Sequence, residues 1–314
     1  MKNKVFIRAL LATIFAFMLY SAGLREMNSA KINIIEPKNS KVNKKQTKEP
    51  KVKMPTASSS SSQTSASSKV TVEKGSKTSL ASAIKKAMGS TASYQVAVQD
   101  LNNSARYARL ATTSEAHNAS GVLKILILAT IYYQEQKGKL STKTAIKIKK
   151  SDRVKGEKLL QTNMGYSIAY LRQAMMKGNK TAGNALLRKA GSKNVAAVAK
   201  KFGATSTTIS GTFTNPPVGK TTSKDLDLVL KGLYQGKVLN QSHAQLVLLG
   251  LYGSRTKLTS GISGTIYSAG DSHFAAAIVQ TSGHSYCISA WSNSQKNFKA
   301  LGKAVNTWFN KNRS

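Results

Sequence analysis

Cysteine occurs once, at Cys287, so no intramolecular disulfide can form and no cysteine-based zinc site can be built. The four histidines, His117, His243, His273 and His284, include no pair at the i, i+4 spacing by which a helix offers two imidazoles to one ion. Neither a metal nor a cofactor is therefore expected. Acidic residues are scarce, 12 against 48 Lys+Arg in 314 residues, which leaves a formal net charge of +36. Aromatics are 7% of the chain, and none falls between Tyr20 and Tyr94. Only near the N-terminus does an uncharged apolar run approach membrane length, which excludes a multi-span membrane protein.

The positive charge is spread along the whole chain. Residues 1–80 hold 15 Lys+Arg and 4 acids (+11), and residues 81–314 hold 33 and 8 (+25). A uniformly basic protein suits anionic polymers, either nucleic acid or an anionic cell envelope. Lys2, Lys4 and Arg8 precede the apolar run 9–24 (ALLATIFAFMLYSAGL), and Arg25 closes it. Sixteen residues at about 1.5 Å each reach roughly 24 Å, just short of a bilayer core of about 30 Å. Residues 1–25 thus read as a signal anchor or a signal peptide, with Ser21, Ala22 and Gly23 as a possible cleavage site. Either way the positive start stays inside and the rest is exported. The expected location is the cell membrane, with a single N-terminal span and an extracytoplasmic domain, or secretion after cleavage. Export argues against nucleic acid as partner. Residues 26–79 are Lys- and Ser-rich and free of aromatics after Tyr20, too poor in apolar area to offset ordering entropy. They read as a tether, its lysines either a self-repelling solvated linker or contacts to wall polyanions.

Residues 80–314 are enough for one domain. Ser79 can cap a short helix over 80–88, and Tyr94, Val96 and Val98 alternate as a strand. A turn at 100–104 (DLNNS) and a second strand over 105–110 complete a hairpin. Residues 121–136 (GVLKILILATIYYQEQ) are nearly all apolar and predict a buried central helix. Amphipathic helices follow over 168–177, 181–190, 194–202, 223–235 and 242–251, then strands over 264–268, 274–280 and 286–291, and a last helix over 295–310. This order predicts an α+β fold, an antiparallel five-stranded sheet flanked by helices and completed by both ends of the domain, with an inserted all-helical subdomain.

The runs 95–101 (QVAVQDL), 118–131 (NASGVLKILILATI), 176–187 (MKGNKTAGNALL) and 221–236 (TTSKDLDLVLKGLYQG), with the closing strands, together resemble the class A β-lactamases and related penicillin-recognising serine hydrolases. The resemblance covers about residues 80–314 in order and implies the serine β-lactamase-like fold. It further implies acyl transfer by three motifs: Ser-x-x-Lys at the start of the buried helix, Ser-Asp-Asn on a helical loop, and Lys-Thr-Gly on an inner strand. The first supplies a nucleophile with an amine one turn away, and a loop glutamate activates the deacylating water in hydrolytic members.

Position by position, the matching residues depart from those motifs. Ser-x-x-Lys falls on Gly121-Val122-Leu123-Lys124, which keeps the amine and puts glycine in the nucleophile's place. The second motif falls on Gly178-Asn179-Lys180, where the hydroxyl is gone and a cation replaces an amide. The third falls on Ser268-Ala269-Gly270, where both the cation and the hydroxyl of its first two positions are replaced, leaving one new hydroxyl at Ser268. No glutamate follows Glu157, so the loop 204–222 has no carboxylate to activate water.

Ser120 and Lys124 stand at i, i+4 and could share a helix face as a shifted catalytic dyad. Ser120 also reads as the N-cap of the apolar helix, its oxygen turned to a backbone N–H. Lys124 is either a buried base with a lowered pKa or a remnant reaching solvent or backbone carbonyls. Lys180 either projects into the former cleft or is a solvated lysine at a helix start. Asp225 and Asp227 suit a helix N-terminus, and Cys287 a small core position. A two-residue turn at Gly270-Asp271 accounts for the aspartate, with a pairing of Asp271 to His273 as the other reading. The expected function is that of a non-catalytic β-lactamase-family envelope protein that binds peptidoglycan or teichoic-acid-like polyanions. The competing expectation is an active serine hydrolase acting on β-lactams or cell-wall peptides through Ser120 and Lys124.

Overall fold

A computed structural model describes residues 69–281 and 283–312. The anchor expected at 1–25 and the tether expected up to residue 68 lie outside the described residues. Among the described residues, no helix is long and apolar enough to cross a membrane.

The main sheet is antiparallel, with strands in the order β1-β3-β2-β11-β10-β9: β1 Thr71–Val72, β2 Tyr94–Asp100, β3 Tyr107–Ala111, β9 Thr265–Gly270, β10 Phe274–Thr281 and β11 His284–Ser292. Five of these were expected, and β11 beside β2 joins the two ends of the domain. The sixth, β1, comes from the segment read as tether. It covers the outer edge of β3 in the register Thr71↔Ala111 and Val72↔Leu110, so edge groups that would otherwise be open to another chain are paired. Glu73, next in line, fastens this strap through Arg109 (2.8 Å) and Lys224 (2.7 Å).

Helices cover both faces of the sheet. On one side lie α1 Thr78–Met88 and the C-terminal helix, Phe298–Lys311, whose Leu80, Ile84, Phe298, Leu301 and Val305 enter a core with Val96, Val98 and Ile288. Trp308 Nε1 donates to Ser79 Oγ (2.9 Å), tying the two helices. Ser79 therefore does not cap α1; the helix starts two residues before the expected Leu80, at Thr78, and Lys77 is its N-cap. On the other side α2 Lys124–Gln136 runs through the middle of the helical block with Ile125 through Tyr132 all buried, as an all-round apolar sequence requires. Around it pack α3 Ile168–Met176, α4 Lys180–Ala190, α5 Ser192–Lys201, α6 Ser223–Tyr234 and α7 Gln241–Leu251, with the terminal helix then α8. Five short strands complete the block: β4 His117–Ala119, β5 Ala145–Lys147, β6 Gly165–Ser167, and β7 Thr208–Ile209 with β8 Gly219–Thr221, in the pairings β4-β8-β7 and β5-β6.

Two acidic residues differ in role from the expectation. Helix α6 is capped by Thr222, whose side chain accepts from Asp225 N–H. Asp225 turns its carboxylate to Ser206 N–H (2.9 Å) and Thr207 Oγ1 (2.7 Å). Asp227 is fully buried and pairs with Arg109 at 2.9 Å, while Cys287 Sγ, also fully buried, donates to its other oxygen at 3.1 Å. Burial of the carboxylate pushes the Asp227 pKa up, against the pull of the Arg109 charge. Asp227 thus joins the helical block to the β1 strap through one chain of charges.

Candidate functional site

Helix α2 begins at Lys124, three residues later than the apolar pattern suggested, and residues 121–123 form a turn in front of it. Leu123 occupies the N-cap position without a side-chain cap, so Ser120 is not the cap. Ser120 Oγ instead accepts from Val218 N–H at 3.2 Å, just ahead of β8. Val218 is buried, and the serine satisfies its amide where the loop 210–218 meets the strand pair β4-β8.

Gly121, in the nucleophile's place, is buried against the end of β9. A Cβ built there would lie 2.5 Å from both C and O of Gly270 and 2.9 Å from Asp271 N. Backbone atoms cannot turn aside as a side chain can, so the position admits no side chain unless the strand end moves. The φ of Gly121 is not in the left-handed region, so space alone requires glycine here. Its N–H donates to Asp271 Oδ2 at 2.9 Å. By the motif correspondence drawn from sequence, this amide would stand where the resembled enzymes have an oxyanion-hole donor, which must be free to receive charge developing on a substrate oxygen. Here a carboxylate of the protein itself holds it.

The same aspartate shapes the turn. Asp271 Oδ1 accepts from the backbone N–H groups of His273 and Phe274, both at 3.1 Å, and Asp271 N donates to Phe274 O at 2.8 Å. The hairpin turn is therefore Ser272-His273, two residues later than Gly270-Asp271. Asp271 meets His273 only through that backbone N–H, while the imidazole Nδ1 lies 3.2 Å from Ser292 O.

Lys124 Nζ donates to Met175 O at the end of α3 (3.0 Å). Burial lowers its pKa, and the negative charge of Asp271 works in the opposite direction. Lys124 thus has both features weighed from sequence, a depressed pKa and a carbonyl partner. It is not hydrogen-bonded to Ser120.

The residues of the second motif are used to start a helix. Gly178 has φ +97°, Asn179 caps α4 by accepting from Ala182 N–H (2.7 Å), and Lys180 is exposed at the first helical position. Glu157 places its carboxylate on this helix start, accepting from Lys180 N (2.7 Å) and Thr181 N (2.8 Å). Burial of Glu157 opposes ionisation, yet these amide bonds and the Lys180 charge bring its pKa below the ordinary value. A carboxylate at a helix N-terminus is favoured by the exposed amides and the helix dipole.

At the third motif, Ser268 is fully buried and donates to Ser254 O (2.5 Å), and Ala269 is buried beside it. Gly270 faces Phe274 O so closely that a Cβ would sit 2.6 Å away. The outer edge of β9 is partly covered by the chain itself: Tyr252 bridges Tyr267, and Gly253 N donates to Ile266 O. The structure therefore joins Gly121 and Lys124 with Gly270 and Asp271, leaves Ser268 turned to Ser254, and engages residues 178–180 with Glu157. Sequence reasoning missed Asp271 and Glu157 as partners of these positions. The pairing of Asp271 with Gly121 has no local signature, being 150 residues apart.

A cavity of about 480 Å³ lies elsewhere, between the β1 strap and the start of α6, and shares no residue with this constellation. Gln95, Arg109, Thr113, Ser206 and Asp225 are among its walls. No group of three His, Cys, Asp or Glu side chains among the described residues could hold a metal ion.

Comparison with solved structures places this architecture. PBP-A matches at 15% identity with a TM-score of 0.67, over 75% of this chain and 97% of that one. The TLA-3 extended-spectrum β-lactamase matches at 17% and 0.65, over 74% and 98%. A β-lactamase from Xanthomonas campestris matches at 18% and 0.62, over 73% and 96%. At such identities the likeness is one of fold. A search of curated protein sequences finds no match. The family model described as Beta-lactamase enzyme family matches residues 78–308, nearly all of the described residues, and the chain belongs to that family.

Proposed function

We propose that this protein is a non-catalytic member of its family, exported and tethered to the cell membrane by its N-terminal segment, that binds cell-wall material: peptidoglycan or teichoic-acid-like polyanions. The observation that carries the non-catalytic part is Gly121. Its missing side chain would collide with the Gly270 backbone, and its amide is taken by Asp271. Covalent catalysis needs a nucleophile and a receptive oxyanion site together, and neither is open at this position. Export is supported by the positively flanked apolar run at 9–24, and wall binding by the +36 charge, which attracts polyanions over a Debye length.

The proposal is tested in two steps. Incubation with a labelled penicillin followed by intact-mass measurement is expected to show no adduct. An adduct that disappears in Ser120→Ala would overturn the non-catalytic reading and assign Ser120 and Lys124 as a dyad. The same substitution is expected to lower stability by about 1 kcal/mol, because Val218 N–H loses its acceptor. Purified cell walls are expected to retain the protein at low salt and release it as ionic strength rises. Failure to bind walls, or binding indifferent to salt, would sink the polyanion reading.

A further inference from the structure

The sheet face covered by α1 and α8 is built from chain that carries almost no negative charge. Residues 74–99 contain no Asp or Glu, and residues 228–312 contain only Asp271. That carboxylate is turned to Gly121 and its own hairpin. Most of the other acids of the described residues are likewise engaged inside the fold: Glu73 and Asp227 on Arg109, Asp152 on Arg188, Asp100 on Arg106, Glu157 on the α4 amides. Among the described residues, the α1/α8 layer thus has lysines with no acid paired to them.

Those lysines are exposed and some of them converge. Lys85 and Lys86 lie in the last turn of α1. Lys299 and Lys303, one turn apart on α8, both reach over the turn at Gly261, where a Cβ would lie 3.1 Å from Cε of Lys303 and 4.0 Å from Cε of Lys299. Lys257 is exposed in the same turn, whose Leu258 and Ile262 are anchored in the core under α1 and α8. The apolar sides of both helices are spent on the sheet, and the exposed large apolar residues of the described chain, Leu159, Met164, Leu249 and Tyr252, belong to other segments. A membrane-surface helix needs an apolar face free to enter lipid, and single-stranded nucleic acid is held by exposed aromatics on which bases stack. This face offers neither.

We propose that the α1/α8 face, rather than the former catalytic cleft, is the docking surface for a linear phosphodiester polymer of the cell wall, with Lys85, Lys86, Lys257, Lys299 and Lys303 as its phosphate contacts. The proposal rests on the wall-binding reading above and specifies its surface and partner. Charge neutralisation by lysines predicts affinity that falls steeply with salt, each phosphate contact adding about one to the slope of log K against log salt.

The test uses the full-length protein, long-chain inorganic polyphosphate as probe, and two fourfold variants with the same change in net charge. One carries Lys85, Lys86, Lys299 and Lys303→Gln on the α1/α8 face. The other carries Lys143, Lys189, Lys193 and Lys200→Gln, exposed lysines of the helical block. The first is expected to bind polyphosphate about tenfold or more weakly with a slope reduced by about four, and the second to stay within about twofold of wild type. Equal losses in the two variants, no loss in either, or no binding of polyphosphate by the wild type would overturn the proposal. So would tighter binding to vesicles of anionic lipid than to polyphosphate, since the partner would then be the membrane. Purified walls run in parallel separate the two claims: a wild type that ignores walls refutes the proposed function, whereas one that binds walls equally well in both variants refutes only the assignment of this face.

Discussion

Restoring the family's serine at Gly121 is the most direct challenge to the reading of this site. In an enzyme that had lost only its nucleophile, Gly121→Ser would place a hydroxyl one turn before Lys124 and return acylation. Here the new Cβ would start 2.5 Å from Gly270 C and O and 2.9 Å from Asp271 N, before its hydroxyl is counted. Ordinary contact begins near 3.5 Å, so the end of β9 must move by the better part of an ångström. That strand end is held on its other side by β10 in the register Gly270↔Ala275, and by the carboxylate of Asp271 across the turn. Overpacking of this kind costs about 1–3 kcal/mol, and contact with backbone rather than with a side chain places it in the upper half. For a domain of this size that is a fall of roughly 4–12 °C in melting temperature. The variant is expected to melt lower by that amount, to show a lower denaturant midpoint with unchanged slope, and to remain unreactive to labelled penicillin by intact mass. Normal stability together with a penicillin adduct would refute the reasoning, because it would mean that the groove is open and that only an atom was missing.

Two further perturbations address the buried charges. Arg109→Met leaves the fully buried Asp227 without its cation and is expected to cost about 3–5 kcal/mol in urea melts at neutral pH. Burial already raises the Asp227 pKa, and loss of Arg109 raises it further. Between the ordinary carboxylate value and that raised one, the folded state binds a proton that the unfolded state does not. Stability of the variant therefore rises as pH falls, and its deficit should be smaller at pH 5 than at pH 8; a pH-independent deficit would count against Asp227 as the cause. Lys124 has the opposite sign. Its folded pKa is lowered by burial, so between that value and the ordinary 10.5 the unfolded chain holds the extra proton and wild-type stability gains as pH rises. Lys124→Met lacks this gain. The difference in denaturant midpoint should shift in favour of the wild type between pH 7 and pH 10, and parallel curves would show that Lys124 is not buried as described.

Local pattern carried the helices and strands well because each reports on its own neighbourhood. The apolar run over 121–136 announces a helix buried on every side, and Phe298, Leu301, Val305 and Trp308 announce one face of α8, since periodicity is a property of a short stretch. The absences were equally legible: Gly121 has no side chain and the loop 204–222 no carboxylate in any fold. Boundaries were less so. The start of α2 at Lys124 depends on the turn at 121–123 being pressed against β9, and β1 depends on an open edge of β3 and on the clasp of Glu73 between Arg109 and Lys224.

The fate of the site's remaining polar groups was decided by tertiary structure alone. Ser120 serves Val218, Lys124 serves Met175, Glu157 serves the start of α4, and Asp271 serves Gly121 across 150 residues. Composition and spacing determine which groups a chain has and which face of an element they share. Whether a buried hydroxyl, amine or carboxylate is left open to a ligand or satisfied within the protein depends on which donors and acceptors folding brings within about 3 Å, and burial makes that pairing obligatory.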